Sequence, residues 1–201
     1  MKKSELGFLP LLLALLVITS TVSLAYAYLQ SSVGDRQARA RNLEDIEMAE
    51  EAMTEYKNLV QFLGTVSMLK NHFEDEYSDA MIAQLRLLYK MEKYDEAVEL
   101  SDICVQEGIK DIASVYFWSG NAFFGRGINE PNPQDAFAWF NRAQDQYRTG
   151  LEKDSDQRWN LRFNYELLRT AVEQAEADEE DKPIKLLRPE DLRQADTKIA
   201  G

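Results

Sequence analysis

Tyr116-Phe117-Trp118-Ser119-Gly120-Asn121-Ala122-Phe123-Phe124-Gly125-Arg126-Gly127 is the stretch that decides the fold. Large aromatic residues alternate with residues that have almost no side chain. Gly120 leaves room for a second helix to approach closely, and Ala143 offers the same room from the facing helix. The aromatic residues then fill the space between neighbouring helix pairs. The glycines do not make a phosphate loop, because such a loop follows a strand and this stretch lies inside a helix pair.

Working outward, the chain reads as a series of helices. Only nine Gly and five Pro punctuate 201 residues, which favours long helices over a many-turned β fold. Helices are expected from about Ser78 to Met91, Tyr94 to Gln106, Ile112 to Gly125, Asn132 to Lys153 and Gln157 to Ala175. Gly108 is a C-terminal cap, and Asn132-Pro133 an N-terminal one. Upstream, Leu43, Ile46, Ala49, Met53, Tyr56, Leu59, Val60, Leu63, Val66, Leu69 and Phe73 fall on one stripe in steps of three and four. They predict a helix over 35–73, bent at Gly64, with the intervening charges on a solvated face. It follows a short breaker, Ser31-Ser32-Val33-Gly34.

Residues Leu6 to Leu29 contain no charged side chain. At about 1.5 Å per residue they are long enough to cross the roughly 30 Å apolar layer of a bilayer. Lys2 and Lys3 precede them and would stay on the cytoplasmic side. Ala25-Tyr26-Ala27 has the small-x-small pattern of a signal-peptidase site, so the segment is either an uncleaved anchor or a long signal. The organisation expected is an anchor over 1–34, a connecting and packing helix over 35–77, repeats with a closing helix over 78–175, and an acidic, partly disordered tail over 176–201.

The helix pairs resemble tetratricopeptide (TPR) repeats. In that pattern Tyr116 takes the large aromatic place, Ser119-Gly120 the Leu-Gly place, Phe123 the Tyr place, and Ala143 with Tyr147 the A-x3-F element. An upstream copy has Met81, Leu85 and Leu88 on its first helix, and Ala97, Ser101 and Cys104 on its second. Leu85 replaces the close-contact glycine. Leu85 and Gly120 are about 35 positions apart, near the repeat's 34-residue period. The second copy is widened by about eleven residues between Gly127 and Ala143. The fold class implied is all-α, an N-terminal transmembrane helix followed by a TPR-like α-α superhelical domain. Three or more repeats are usually needed to bury a continuous core. The Trp159–Ala175 helix is therefore expected to cap one end, and the Leu43–Phe73 helix the other.

The whole layout also resembles the MxaK-type proteins of bacterial methanol-oxidation clusters. The shared features are the anchor, two repeat units with the second widened, and a closing helix with Asn164-Tyr165-Glu166. That resemblance implies a role in assembling or maturing a periplasmic quinoprotein (methanol) dehydrogenase. It also implies partners such as MoxR-type ATPases and von Willebrand A-domain proteins. The chain would then be a single-pass protein of the bacterial inner membrane with its C-terminal domain in the periplasm. A structural accessory subunit of a membrane complex is the alternative.

In TPR proteins the first helix of each repeat lines a concave groove. Carried over, this gives Arg86, Tyr89 and Lys90, then Phe117, Trp118, Asn121 and Phe124, then Arg162, Phe163 and Arg169. Arginine can hold carboxylates bidentately, Asn121 can bond a peptide backbone, and the aromatics offer apolar anchors. Packing against the 35–73 helix is the competing role for the same residues. On the groove reading, Asn121→Ala with Arg86→Ala weakens partner binding without changing the melting behaviour.

No catalytic, cofactor or metal site is expected. The single Cys104 and single His72 exclude a disulfide within the chain and a Cys/His zinc site. Cys104 occupies a small packing position, and His72 reads as a solvated helix end. The net charge of −12 argues against nucleic acid. There is no Walker loop, dinucleotide fingerprint, HExxH or GxSxG.

Overall fold

The computed structural model describes residues 8–154 and 158–179, all helices and short connections, with no strand among them. Eight helices follow in order: α1 (Phe8–Asp45), α2 (Ala49–Gly64), α3 (Ser67–His72), α4 (Glu74–Lys90), α5 (Tyr94–Glu107), α6 (Ile112–Asn129), α7 (Pro133–Lys153) and α8 (Trp159–Glu179). The tail 180–201, Lys2, Lys3 and Gln157 lie outside the described residues.

α1 differs most from expectation. Ser31-Ser32-Val33-Gly34 does not break it, and one helix of 38 residues runs through. A mid-helix glycine is unfavourable by only about 1 kcal/mol, and packing outweighs that. Val33 and Ala40 are fully buried, and Leu29 and Leu43 pack on the same core. The N-terminal half is the opposite. Leu11, Leu15, Val17, Val22 and Leu24 are all exposed. This helix is long and apolar enough to cross a membrane.

The single helix expected over 35–73 is three pieces. α1 stops at Asp45, where Glu47 takes φ of 63° and the Met48 N–H donates to the Leu43 carbonyl at 2.9 Å. This left-handed closure turns α2 back along α1. Gly64 ends α2, and α3 is one short helix before Phe73. The same closure recurs at Glu92 (φ 59°), between α4 and α5, and at Gly108 (φ 67°), between α5 and α6. Only the last of the three is the glycine such a cap favours. Asn132 caps α7 as expected, its side chain accepting from the Gln134 N–H at 3.1 Å.

The helices pack in sequence order: α1 on α2, α2 on α4, α4 on α5 and α6, α6 on α7, and α7 on α8. α1 and α4 run side by side in the same direction. Arg41 meets Asp79 and Glu44 meets Arg86, while Tyr26 meets His72 at the end of α3, just before α4. The larger core joins α1, α2, α4 and α5 to the start of α6 through residues such as Leu59, Leu63, Leu85, Leu87 and Val115. A second cluster joins α7 and α8 through Ala143, Tyr147, Leu161 and Leu168.

Candidate functional site

Backbones approach closely where glycine faces an aromatic ring. A Cβ on Gly120 would lie 2.5 Å from Cε1 of Tyr147, one turn beyond Ala143 on α7. A Cβ on Gly125 would lie 2.5 Å from the Tyr94 ring of α5, and one on Gly127 would lie 2.6 Å from the Phe140 ring. α6 is thus held on two sides by rings that its glycines admit. That sets the spacing of the helices whose other faces carry the candidate binding residues.

Tyr147 is buried, and its hydroxyl donates to Asn121 Oδ1 at 2.7 Å. Asn164 Nδ2 donates to the same oxygen at 3.1 Å. Asn121 is 8% exposed. It is therefore the hub that ties α6, α7 and α8 together, and not the open peptide-binding amide expected from its repeat position. The tyrosine that fits over Gly120 brings a hydroxyl into the core, and a buried hydroxyl requires a partner.

Arg86 and Lys90 are also engaged. Arg86 donates through Nε and Nη2 to the two Glu44 oxygens at 2.8 and 2.7 Å, and Lys90 Nζ donates to Oε1 at 2.9 Å. Burial raises the Glu44 pKa, but hydrogen bonds from Arg86 and Lys90, with their charges, outweigh it and hold the carboxyl below its ordinary 4.5. α1 therefore sits on this part of α4. The expected cover was the 35–73 helix; the residue that provides it lies within that span but belongs to α1.

Three of the aromatic side chains lie together. Tyr89 lies 5.8 Å from Trp118, and Trp118 lies 5.0 Å from Phe117, centroid to centroid. All three are half-buried. Phe124 turns toward Phe140 of α7 at 5.6 Å. On α8, Phe163 stacks on the exposed Trp159 at 4.8 Å. Arg162 is exposed, and Arg169 pairs with Glu166 and Glu173 of its own helix.

Four groups of residues have roles that the sequence does not signal. Glu44 reads as one of the solvated charges, and nothing local marks it, since its partners lie 42 and 46 positions away. Asn164 belongs to the closing-helix element, but no local pattern points to its bond with Asn121. Arg158 reaches Asp111 at 2.7 Å and joins α8 to the start of α6. Burial raises the Asp111 pKa, and hydrogen bonds from Arg158 and Ser114 bring it below the usual value. A polar crevice of ≈ 340 Å³ adjoins this pair, lined by Asp75, Asp79, Lys110 and Lys153 among others. Finally, Trp139 lies between the guanidiniums of Arg126 and Arg142, at 4.2 and 4.6 Å.

Cys104 is fully buried, and burial, then the nearby Glu107 charge, push its thiol up to about 12. His72 Nε2 lies 3.1 Å from the Tyr26 hydroxyl. A half-buried aromatic strip on α4 and α6 lies beside a charged bridge to α1. No protein-family model matches the chain, and neither a curated protein nor a solved structure does.

Proposed function

We propose that this chain is a membrane-anchored scaffold whose TPR-like hairpins bind other proteins outside the membrane during assembly or maturation of an exported complex. The observation that carries the reading is the course of α1. Its first half is exposed and apolar, while its second half is built into the folded domain through Val33, Ala40 and Glu44. Such a helix transmits the position of the membrane directly to the domain, with no flexible linker between them. The close approaches at Gly120 and Gly125 support the repeat reading of α4–α5 and α6–α7. The partner surface in this reading is the strip Tyr89, Trp118 and Phe117, residue types that act as anchors in interfaces.

The narrower proposal, from the resemblance to MxaK-type proteins, is that the complex is a periplasmic quinoprotein dehydrogenase. Deletion of the gene tests it. Cofactor-loaded dehydrogenase is expected to fall, with this chain absent from the finished enzyme; unchanged enzyme removes that partner. For the scaffold itself, Tyr89→Ala with Trp118→Ala is expected to lose the partners that the wild-type chain retains in membranes. Retention of all of them by the double variant removes the aromatic strip as the binding surface.

A structural accessory subunit is the second reading. The bridge from Glu44 to Arg86 and Lys90 favours it, because it stiffens the link between anchor and first hairpin. Stable co-purification at fixed stoichiometry with a finished membrane complex distinguishes it from the assembly role.

A further inference from the structure

The contact between Tyr26 and His72 sets the height of α3 against the anchor. Their rings meet edge to face at 5.3 Å, and the hydroxyl lies 3.1 Å from Nε2. Tyr26 is still inside the apolar run that ends at Leu29, about 4–5 Å short of its end along the axis, and the first charged residue after it is Asp35. The C-terminal end of α3 therefore stands beside the apolar part of α1, below the level at which charged residues begin.

The segment around it is unusual in what it exposes. Met68 is 75% exposed, the most exposed of the large hydrophobic side chains among the described residues, and Val66 is 47% exposed. Leu69 packs on the core and Phe73 is buried in it, so α3 is fixed in place. Tyr26 and Tyr28 are exposed nearby on α1, and tyrosines of this kind gather where a bilayer meets water. The basic side chains on and beside α3 are paired with carboxylates, Lys70 with Glu107 and Lys110 with Asp75, and Arg36 of α1 lies over the Phe62 ring. Attraction to anionic headgroups is thus not the force at work here. The chemistry on offer is apolar.

We infer that Val66 and Met68 enter the interfacial layer of the same bilayer that α1 crosses, making a second contact between domain and membrane. One helix alone leaves the domain free to rotate about the membrane normal and to tilt. A second contact off the axis of α1 removes the tilt and presents one chosen side of the hairpins to partners. The inference rests on the proposal that α1 is an uncleaved anchor.

The test uses the full chain in phosphatidylcholine nanodiscs. Met68→Cys carries an environment-sensitive fluorophore, and Asn129→Cys, at the far end of α6, carries the same label as a comparison. Met68 and Asn129 are both exposed, and buried Cys104 gives a wild-type control for stray labelling. The label at 68 is expected to be quenched several-fold more by a shallow nitroxide lipid than the label at 129, and to be shielded from aqueous iodide. High salt is expected to change neither result. An anchored protein whose two labels respond alike to iodide and to nitroxide lipid overturns the inference and leaves the anchor intact. A chain released from membranes by alkaline carbonate overturns the anchor, and the inference with it.

Discussion

The hairpin α4–α5 carries Leu85 and Ser101 and the hairpin α6–α7 carries Gly120 and Tyr147, the large residue on the first helix in one and on the second helix in the other. Leu85 is fully buried opposite a helix that carries a small residue; Gly120 is overlain by a large ring. The summed volume of the two residues is roughly the same in both hairpins, and cores tolerate such rearrangement far better than a net change. The exchange has consequences beyond space. Ser101 donates to the Val98 carbonyl at 2.7 Å and meets the Ser119 hydroxyl at 3.1 Å, tying α5 to α6. Tyr147 instead brings its hydroxyl to Asn121, which then also receives Asn164 of α8. Each hairpin's choice of the larger residue decides which polar group locks the next helix.

The largest effects should come from disturbing that exchange. Leu85→Ala is expected to lower stability by about 2–5 kcal/mol, through lost transfer energy and the cavity left behind. Gly120→Ala is expected to lower it by about 1–3 kcal/mol, because the new methyl meets a ring that cannot swing away. Denaturant melts of both variants check this. If the exchange is real, adding Tyr147→Leu to Gly120→Ala should recover part of the loss, a favourable coupling visible in a double-mutant cycle. Strict additivity would break the comparison.

Asn121→Ala sharpens it next. The substitution removes the oxygen that both the Tyr147 hydroxyl and the Asn164 amide donate to, an expected loss of about 1–3 kcal/mol. The sequence-based expectation that Asn121→Ala with Arg86→Ala spares the melting behaviour is thus replaced by its opposite. An unchanged melting temperature would return Asn121 to the binding surface.

The smallest effect belongs to the α1 end. Glu44→Gln is expected to be destabilising by about 1 kcal/mol at neutral pH, a modest value because Arg86 and Lys90 remain partly in water. The carboxyl is held below its ordinary 4.5, so its contribution is present above that pH and is lost as pH falls through the lower folded-state value. Thermal melts of wild type and variant should therefore converge on acidification below about pH 4.5. A constant gap across that range would show that the ion pair is not what Glu44 supplies.

How much of this was legible follows from where each signal resides. The helices α4 to α8 could be read because their apolar periodicity, Gly108 and Asn132-Pro133 are local features. The closures at Glu47 and Glu92 could not, since glutamate gives no sign of a left-handed backbone; only the packing of the helices on either side holds them there. Ser31 to Gly34 looked like a break because composition reports propensity, while burial of Val33 and Ala40 stabilises the continuous helix by more than the local preference opposes it. The candidate groove divides the same way. Tyr89, Trp118 and Phe117 lie together, whereas Arg86 and Lys90 are bonded by Glu44 and the Asn121 oxygen by Tyr147 and Asn164, none of them near in sequence.

By itself, then, the sequence determined an all-helical chain, one apolar helix long enough for a membrane, and small residues at the places where helices must meet. The tertiary structure decided that this apolar helix continues unbroken into the domain, and which polar groups of the hairpins remain open to a partner. The reason is range. Helix formation and apolar patterning depend on neighbours within a turn or two, whereas a buried charge or amide is satisfied by whatever the fold brings to it from dozens of residues away.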